Sequence, residues 1–212
     1  MDLLSTEQTL YEKGYQKIAC IDEVGRGCLC GPVTAAAVIL PPGLVLEGVN
    51  DSKKLSAKKR EKLFEVIQRE ALALGIGEVS PGEIDDINIK NATKKAMLLA
   101  LENLRTPAGE KVAPDYLLID AETLDTALPQ EGILQGDGKV QGIAAASIVA
   151  KVSRDRQLVE LATIYPGYGL EKHKGYGTKI HREALKKLGP VDIHRKSFLT
   201  KMVLPKGEGH GR

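Results

Sequence analysis

The sequence lacks the features that would place the protein in a membrane or in an oxidising compartment. None of its apolar runs approaches the ~20 residues needed to span a bilayer. Its first residues have neither the basic nor the apolar segment of a signal peptide. It has only three cysteines, Cys20, Cys28 and Cys30, and no second Cys or His cluster that would complete a zinc pattern. We therefore expect reduced thiols and a cytoplasmic location.

What is present is the composition of an ordinary globular domain. The chain has 212 residues, of which 42% are apolar and 27% charged. We see neither repeats nor a low-complexity linker. We predict one domain over residues 1–200, with a helical part at about 165–200, and a flexible tail over residues 201–212.

Charge is unevenly distributed along the chain. Residues 1–138 hold 15 Lys/Arg and 22 Asp/Glu, a net charge of −7, whereas residues 139–212 hold 15 and 6, a net charge of +9. A basic C-terminal third suits a polyanion such as nucleic acid. A merely solvated, asymmetric surface would give the same pattern.

The stretch around residues 18–27 stands out. An apolar run, 18–21, ends in two adjacent carboxylates, Asp22 and Glu23, and Gly25-Arg26-Gly27 follows. Successive side chains of a strand point to opposite faces, so the two carboxylates can share a ligand only if the strand bends or ends there. The glycines permit such a bend. Taken alone, the stretch is better explained as a charged strand end before a turn.

The pattern of apolar residues predicts an α/β fold. The predicted strands are 17–22, 32–40, 71–79, 115–120 and 133–134, and the predicted helices are 5–15, 56–69, 87–104, 142–164 and 179–188. Ser56 is expected to cap the second helix, and an aspartate at 85 or 86 to open the third. We expect an antiparallel meander of three strands, extended by parallel strands and flanked by helices.

Acidic residues recur at the ends of the predicted strands. Asp120 ends the fourth strand, as Asp22 and Glu23 end the first, and Asp137 lies in a Gly-Asp-Gly turn before a small, apolar helix start. Strand ends gather at one edge of an α/β sheet. Four oxygen donors favour Mg²⁺ or Mn²⁺, and a pair of such ions suits in-line hydrolysis of a phosphodiester. The alternatives are a turn cap at Asp120 and an Asx-turn or helix cap at Asp137.

Six ordered blocks of sequence resemble the type 2 ribonuclease H (ribonuclease HII) family. They are Asp22-Glu-Val-Gly-Arg-Gly27, Asn50-Asp-Ser-Lys53, Asn88-Ile-Lys-Asn-Ala-Thr93, Gly136-Asp137, Ala144-Ala-Ala-Ser-Ile-Val-Ala-Lys-Val-Ser-Arg-Asp155 and His173-Lys-Gly-Tyr176. The similarity extends from about residue 15 to about 200. Gly-Arg-Gly alone would be weak evidence for this family, whereas six blocks in the same order are specific to it.

The resemblance implies a ribonuclease H-like fold and a metal-dependent endonuclease. Such an enzyme cleaves the RNA strand of RNA–DNA hybrids, and cuts 5′ of ribonucleotides embedded in duplex DNA, leaving 3′-hydroxyl and 5′-phosphate ends. This activity serves ribonucleotide excision repair and DNA replication. We expect it to act as a monomer, without a membrane partner.

The resemblance also implies roles for individual residues. Asp22, Glu23, Asp120 and Asp137 match the four metal-binding, catalytic carboxylates. Gly25, Arg26 and Gly27 match the family's sensor of the ribose 2′-hydroxyl, the group that distinguishes RNA from DNA. Tyr176 matches the tyrosine that stacks on the deoxyribose just past the ribonucleotide.

Further polar residues are candidates for contact with the nucleic acid strand. They are Asn50, Ser52, Lys53, Asn91, Thr93, Ser147, Lys151, His173 and Lys174. Ser147 and Lys151 lie one helical turn apart and share a face. Asn50 to Lys53 also fit a solvated loop, and Asn91 and Thr93 an ordinary first helical turn. Arg154 and Asp155 fit a solvated pair, and His194 a structural role.

Two features depart from the family pattern. The family often has Asp-Gly at the third carboxylate, where this chain has Asp120-Ala121, which is tolerated unless the backbone there needs a positive φ. The chain also ends soon after His194 to Phe198, so we expect weaker affinity for hybrids. Two other readings remain: another two-metal nuclease, such as a resolvase or integrase core, and an inactive nucleic-acid-binding module.

Overall fold

A five-stranded mixed sheet forms the centre of the structure, a computed structural model that describes residues 3–49 and 55–200. The strands are β1 (Ile18–Val24), β2 (Val33–Ile39), β3 (Ala73–Val79), β4 (Tyr116–Asp120) and β5 (Gln130–Ile133), in the order β3-β2-β1-β4-β5. The first three are antiparallel, and β4 and β5 extend the sheet in parallel to β1. The predicted fold class is confirmed. The edge strand β5 lies about three residues earlier than predicted.

Seven α-helices accompany the sheet in the described residues. They are α1 (Ser5–Glu12), α2 (Ala57–Glu70), α3 (Pro81–Glu102), α4 (Gln141–Ile164), α5 (Leu170–His173), α6 (Lys179–Leu188) and α7 (Lys196–Leu199). As predicted, Ser56 caps α2, because its side chain accepts a hydrogen bond from the main-chain N–H of Lys59. The bounds of α4 and α6 also agree with the prediction to within one residue.

Helix α3 corrects the prediction that an aspartate at 85 or 86 opens it. The helix begins at Pro81 with Ser80 as its cap, and a positive φ of 65° interrupts it at Asn88. The carboxylate of Asp85 is used elsewhere: it accepts the main-chain N–H groups of Lys196 and Ser197 at 2.8 and 2.9 Å. Asp85 therefore anchors the start of α7, far along the chain.

The helices cover both faces of the sheet. Helix α3 packs on one face with Ala19 and Ile21 of β1, whereas α2 and α4 pack on the other. Two glycines of β3 permit the close approach of α3: a Cβ on Gly75 or on Gly77 would lie 2.1 Å from a main-chain oxygen of the helix. Side chains that alternate with Ala19 and Ile21, among them Cys20, face the α4 side.

The C-terminal helices form a separate small core against the end of α4. Its buried residues are Cys30, Leu158, Tyr168, Leu170, Leu185, Ile193 and Leu199. This core places the turn between α5 and α6, which carries Tyr176, beside the link between β1 and β2, because Cys28 and Tyr176 pair in an isolated antiparallel bridge. The predicted tail, residues 201–212, lies outside the described residues.

Candidate active site

A cleft of about 120 Å³ opens where β1 and β4 part. The pairing of these two strands ends at Ile21 and Ile119, although β1 stays paired with β2 as far as Val24. The cleft is lined by Asp22, Glu23, Val24, Arg60, Asp120, Ser147, Lys151 and Tyr176. The fold thus brings together three of the four predicted carboxylates, the predicted tyrosine and two of the further predicted residues, Ser147 and Lys151.

Asp22 is the most enclosed of these carboxylates. Its side chain is buried, it accepts the main-chain N–H of Glu23 at 2.8 Å, and the Ser147 hydroxyl donates to it from α4. Burial raises the pKa of Asp22 well above its usual value, and the nearby carboxylates of Glu23 and Asp120 raise it further. The negative charge of Asp22 is therefore costly unless a cation joins it.

Glu23 follows on the same strand, which does not end at Asp22 as predicted but continues to Val24. One oxygen, Oε1, accepts a hydrogen bond from the Arg26 guanidinium at 3.2 Å. The other, Oε2, is buried and has no hydrogen-bond partner in the described part of the chain. Burial raises the pKa of Glu23, against the effect of Arg26. A buried oxygen without a partner is an available ligand for a cation.

Asp120 ends β4 next to this pair. Its Oδ1 accepts the main-chain N–H of Gly136 at 2.7 Å, which ties the strand end to the short 3₁₀ turn Gly136–Gly138. Asp137 lies in that turn and is buried, but it is not among the residues that line the cleft. The residue after Asp120 is Ala121, whose φ of +51° lies in the left-handed region. The backbone there does adopt the conformation that favours glycine.

The donor set of the cleft fits a hard divalent cation. Its possible ligands are carboxylate oxygens, and none of the described residues that line it is a histidine or a cysteine. The buried Asp22 and the partly buried Glu23 both have a raised pKa, and Glu23 has one buried oxygen without a partner in the described residues; these are the signs of an acidic site that a cation would neutralise.

The turn Gly25–Gly27 forms the rim of the cleft on the β1 side. Gly25 is buried and has a φ of +91°, whereas Arg26 and Gly27 are exposed. The Arg26 side chain turns back to Glu23. The main-chain carbonyl of Arg26 accepts a hydrogen bond from the Arg195 guanidinium at 2.9 Å. The main chain around Gly27 therefore faces solvent at a fixed position beside Glu23.

Tyr176 stands on the other side of the cleft. It is one of the exposed large hydrophobic residues, with 41% of its surface accessible. The Lys151 ammonium lies 5.5 Å from the ring centroid. The ring is thus held near the carboxylates while one face remains accessible.

Two cations reach the cleft from its helical side. Lys151, one turn after Ser147 on α4, forms an ion pair with Asp155 at 2.7 Å. Arg60, from the first turn of α2, lines the cleft as well, and its Nη1 donates to the carbonyl of Leu55 at 2.6 Å. The sequence reading missed Arg60, because one arginine within Lys58-Lys-Arg60 gives no sign of which side chain turns inward.

Among the described residues, three other predicted substrate contacts lie away from the cleft. The Thr93 hydroxyl is buried and donates to the carbonyl of Ile89 within α3, and Asn91 is exposed on the same helix. Lys174 lines a neighbouring groove rather than the cleft. Asn50, Ser52 and Lys53 lie outside the described residues.

His173 is engaged within the protein. Its ring is buried; Nδ1 accepts the main-chain N–H of Gly175 at 3.2 Å, and Nε2 contacts the carbonyl of Tyr168 at 2.8 Å. Both ring nitrogens are therefore used, and neither is left for the phosphate contact predicted from the sequence. His173 instead shapes the turn that carries Tyr176.

A second cluster has the spacing of metal ligands. Cys30 Sγ and ring nitrogens of His181 and His194 lie within 4.8 Å of one another. Nδ1 of His181 lies 3.1 Å from the Tyr176 carbonyl, and Nδ1 of His194 contacts both the N–H and the carbonyl of Val191, at 3.0 and 3.2 Å. The neutral assignment that pairs the two rings has His181 donate from Nδ1 and His194 accept the Val191 N–H. Nε2 of His194 then donates to Nε2 of His181 at 3.2 Å. These histidines are satisfied by each other and by the backbone.

The interior beside this cluster already holds two guanidinium groups, those of Arg154 and Arg195, both 0% exposed. They oppose another buried cation near Cys30. The idea that Arg154 and Asp155 form a solvated pair is wrong, because Arg154 is buried and Asp155 pairs with Lys151 instead.

Comparison with known proteins gives one consistent result. The model of the family described as Ribonuclease HII matches residues 19–201. A ribonuclease HII of Alkaliphilus metalliredigens is 56% identical over 203 residues, which cover 96% of this chain and all of that protein.

Two solved structures have the same fold. The ribonuclease H2 of Pyrococcus horikoshii is 27% identical with a TM-score of 0.70, and the match covers 85% of this chain and 93% of the other. The RNase HII of Archaeoglobus fulgidus, whose structure is a complex with PCNA, is 27% identical with a TM-score of 0.71. That match covers 90% of this chain and 97% of the other. In the part of the chain described here, no helix is long and apolar enough to cross a membrane.

Proposed function

Because the chain belongs to the ribonuclease HII family, we propose that it cuts the RNA strand of RNA–DNA hybrids, and 5′ of ribonucleotides embedded in duplex DNA, at the cleft between β1 and β4. Membership makes the chain a metal-dependent endoribonuclease. The other readings of the sequence, a resolvase or integrase core and an inactive binding module, do not match this family. The observation that carries the choice of site is the buried Oε2 of Glu23 beside Asp22 and Asp120.

The carboxylates are proposed to hold the metal. Asp22, Glu23 and Asp120 line the cleft, and Asp137 is one residue from Gly136, whose N–H orients Asp120. Two bound ions, Mg²⁺ or Mn²⁺, would activate water and stabilise the leaving 3′-oxygen, giving 3′-hydroxyl and 5′-phosphate products. The Ser147 hydroxyl keeps Asp22 oriented before any ion binds.

The basic side chains are proposed to bind the phosphates. Lys151 and Arg60 lie on the helical side of the cleft, opposite the strand ends that carry the acids. A phosphodiester bound in the cleft would have these cations on one side and the carboxylates with metal on the other. The helix after Tyr176, α6, adds four exposed basic residues, Lys179, Arg182, Lys186 and Lys187, against one acidic residue, Glu183, and is proposed to contact phosphates further along the strand.

The two sides of the cleft are proposed to read two neighbouring sugars. The exposed main chain at Arg26 and Gly27 approaches the ribose closely enough to test for a 2′-hydroxyl, because no side chain intervenes at the glycine. Tyr176 offers an exposed ring for the next sugar, which lacks that hydroxyl. Together they recognise the junction where RNA gives way to DNA, the structure that ribonucleotide excision repair must find.

The proposal is tested with three duplexes that share one sequence: one with a single ribonucleotide, one all-DNA and one with a fully RNA strand. With Mg²⁺ we expect cleavage 5′ of the single ribonucleotide and within the RNA strand, and none of all-DNA or without metal. Labelled product ends distinguish 3′-hydroxyl from 3′-phosphate. Cleavage of the hybrid alone would remove junction recognition from the proposal, and cleavage of all-DNA would overturn it.

A further inference from the structure

Arg154 is a fully buried cation whose hydrogen bonds all go to main-chain oxygens. Its Nε donates to the carbonyl of Pro32 at 2.9 Å, Nη1 to that of Lys174 at 2.9 Å, and Nη2 to that of Cys30 at 3.0 Å. Burying a guanidinium is costly unless its donors are satisfied. Here the acceptors come from two segments that are more than 140 residues apart, the link between β1 and β2 and the turn before Tyr176.

Glycines on both segments make room for the guanidinium group. A Cβ on Gly25 would lie 2.3 Å from Nε of Arg154, and a Cβ on Gly175 would lie 2.7 Å from the carbonyl oxygen of Cys30 and 3.3 Å from Nη2 of Arg154. Both glycines have positive φ, 91° and 85°. The backbone on each side is therefore shaped around this one side chain.

The two segments also bond directly to each other. The N–H of Leu29 donates to the carbonyl of Gly175 at 2.8 Å, and Cys28 pairs with Tyr176 in an antiparallel bridge. The Cys28 thiol donates to the Lys174 carbonyl, which is the acceptor that Arg154 also uses. The spacing between Gly27 and Tyr176 thus depends on these direct bonds together with the guanidinium group that lies between the two segments.

The second buried arginine has a narrower set of contacts. Arg195 donates to the carbonyl of Gly31 from Nε and Nη2, at 3.1 and 2.9 Å, and to that of Arg26 from Nη1. Both acceptors belong to the link between β1 and β2. Of the two guanidinium groups, Arg154 is the one that joins this link to the turn of Tyr176.

We infer that Arg154 is a positioning residue for junction recognition: it holds the Gly25–Gly27 turn and Tyr176 at the separation of two adjacent sugars. It contacts neither the cleft nor the carboxylates that line it. The inference rests on the proposed function, since it assigns to these two segments the reading of ribose and of deoxyribose. A substrate with one ribonucleotide has one phosphate at which both contacts can form. A fully RNA strand can bind in many registers, so its cleavage depends less on the exact separation of the two segments.

Selectivity between the single-ribonucleotide duplex and the long hybrid is the main test. Arg154→Lys keeps the charge but cannot span three acceptors, and we expect its kcat/KM to fall roughly tenfold more on the single ribonucleotide than on the hybrid, mostly in kcat. Arg69→Met is the control, because Arg69 is exposed on α2 and pairs with Glu70; its kcat/KM should be unchanged on both substrates. An equal loss on both substrates would show a merely structural role and overturn the inference.

A double-mutant cycle tests whether Arg154 acts through Tyr176. In the Tyr176→Ala background, Arg154→Lys should cause little further loss on the single ribonucleotide, because the ring that it positions is gone. Losses that multiply in full would contradict the inference. Since wild type is assayed on the same duplex, a wild-type enzyme that leaves it uncut would count against the proposed function and not against Arg154.

Gly175→Ala gives an independent route if Arg154→Lys does not fold. The added Cβ would press on the Cys30 carbonyl and shift the turn of Tyr176 with Arg154 intact. We expect the same selective loss on the single ribonucleotide, with an unchanged Mg²⁺-induced rise in melting temperature. Unaltered selectivity in a folded Gly175→Ala protein would overturn the inference.

Discussion

The Oδ1 atom of Asp120 accepts a hydrogen bond from the main-chain N–H of Gly136 at 2.7 Å. This bond joins the end of β4 to the 3₁₀ turn that contains Asp137. It gives Asp120 two separable properties: an acceptor that holds the turn, and a charge that faces Asp22 and Glu23 across the cleft.

Asp120→Asn separates these two properties. The amide oxygen can still accept the Gly136 N–H, so the fold should be kept, but the loss of charge should weaken metal binding and lower the Mg²⁺-dependent rate roughly 100-fold or more. Initial rates and melting temperature measure the two effects. Asp125→Asn, on the exposed loop after β4, is the matched control. Near-wild-type turnover of Asp120→Asn would remove Asp120 from the metal site.

Metal removal should destabilise the wild-type protein. Bound Mg²⁺ offsets the repulsion among Asp22, Glu23 and Asp120, and at ten times its dissociation constant it would stabilise the fold by about 1.4 kcal/mol. The melting temperature should therefore rise with Mg²⁺ and fall back with a chelator. The rise should be smaller in Asp120→Asn. An equal rise in both proteins would place the ion at another site.

Tyr176→Ala should reduce cleavage at a single embedded ribonucleotide roughly tenfold or more, because the stacking surface for the neighbouring sugar is lost. Tyr176→Phe keeps the ring and should retain most of the activity. Steady-state rates on the single-ribonucleotide duplex compare the two. If the alanine variant cuts this duplex normally, the ring does not stack there.

Ala121→Gly should stabilise the protein. Ala121 adopts a φ of +51°, which costs a residue with a Cβ about 1–2 kcal/mol, whereas glycine pays only its smaller backbone entropy. We expect a gain of about 1 kcal/mol, or roughly 2–4 °C in melting temperature for a chain of this length. Calorimetry measures it, with Ala57→Gly in the first turn of α2 as a control that should lose stability. A loss for Ala121→Gly would show that its methyl group packs favourably.

The sequence predicted the features that depend on neighbours along the chain. Apolar runs located β1 to β4, and Ser56 was recognised as a cap because it bonds within one turn of its own helix. Asp85 misled the prediction of α3, since its partners Lys196 and Ser197 lie more than 100 residues away.

The acidic part of the site was predictable for a physical reason. Carboxylates at the ends of neighbouring strands converge wherever those strands pair, and β1 and β4 pair in parallel. Arg154 was not predictable, because its partners are main-chain oxygens, which every residue has and no motif marks. Arg60 likewise reaches the cleft only through the packing of α2 on α4.

Acid should destabilise the protein through its buried histidines. Burial lowers the pKa of His181 from its usual 6.5 to about 4, and burial also lowers the pKa of His194. Between pH 6.5 and about pH 4, His181 is protonated in the unfolded chain but not in the folded protein. The free energy of unfolding therefore falls as the pH drops through this range. The full window corresponds to about 3 kcal/mol at most.

Urea unfolding at pH 7 and at pH 4.5 measures this loss, and the titration of the imidazole signals by NMR gives the pKa directly. His181→Gln offers an amide in place of the ring but no titrating group, so it should be less stable at pH 7 and lose less on acidification than wild type. Since the carboxylates titrate alike in both proteins, the difference between the two slopes isolates His181. Equal slopes, or an imidazole that titrates near 6.5, would contradict the prediction. They would mean that His181 takes up its proton at little cost, with the bond between the two Nε2 atoms reversed and Nδ1 of His194 donating to the Val191 carbonyl.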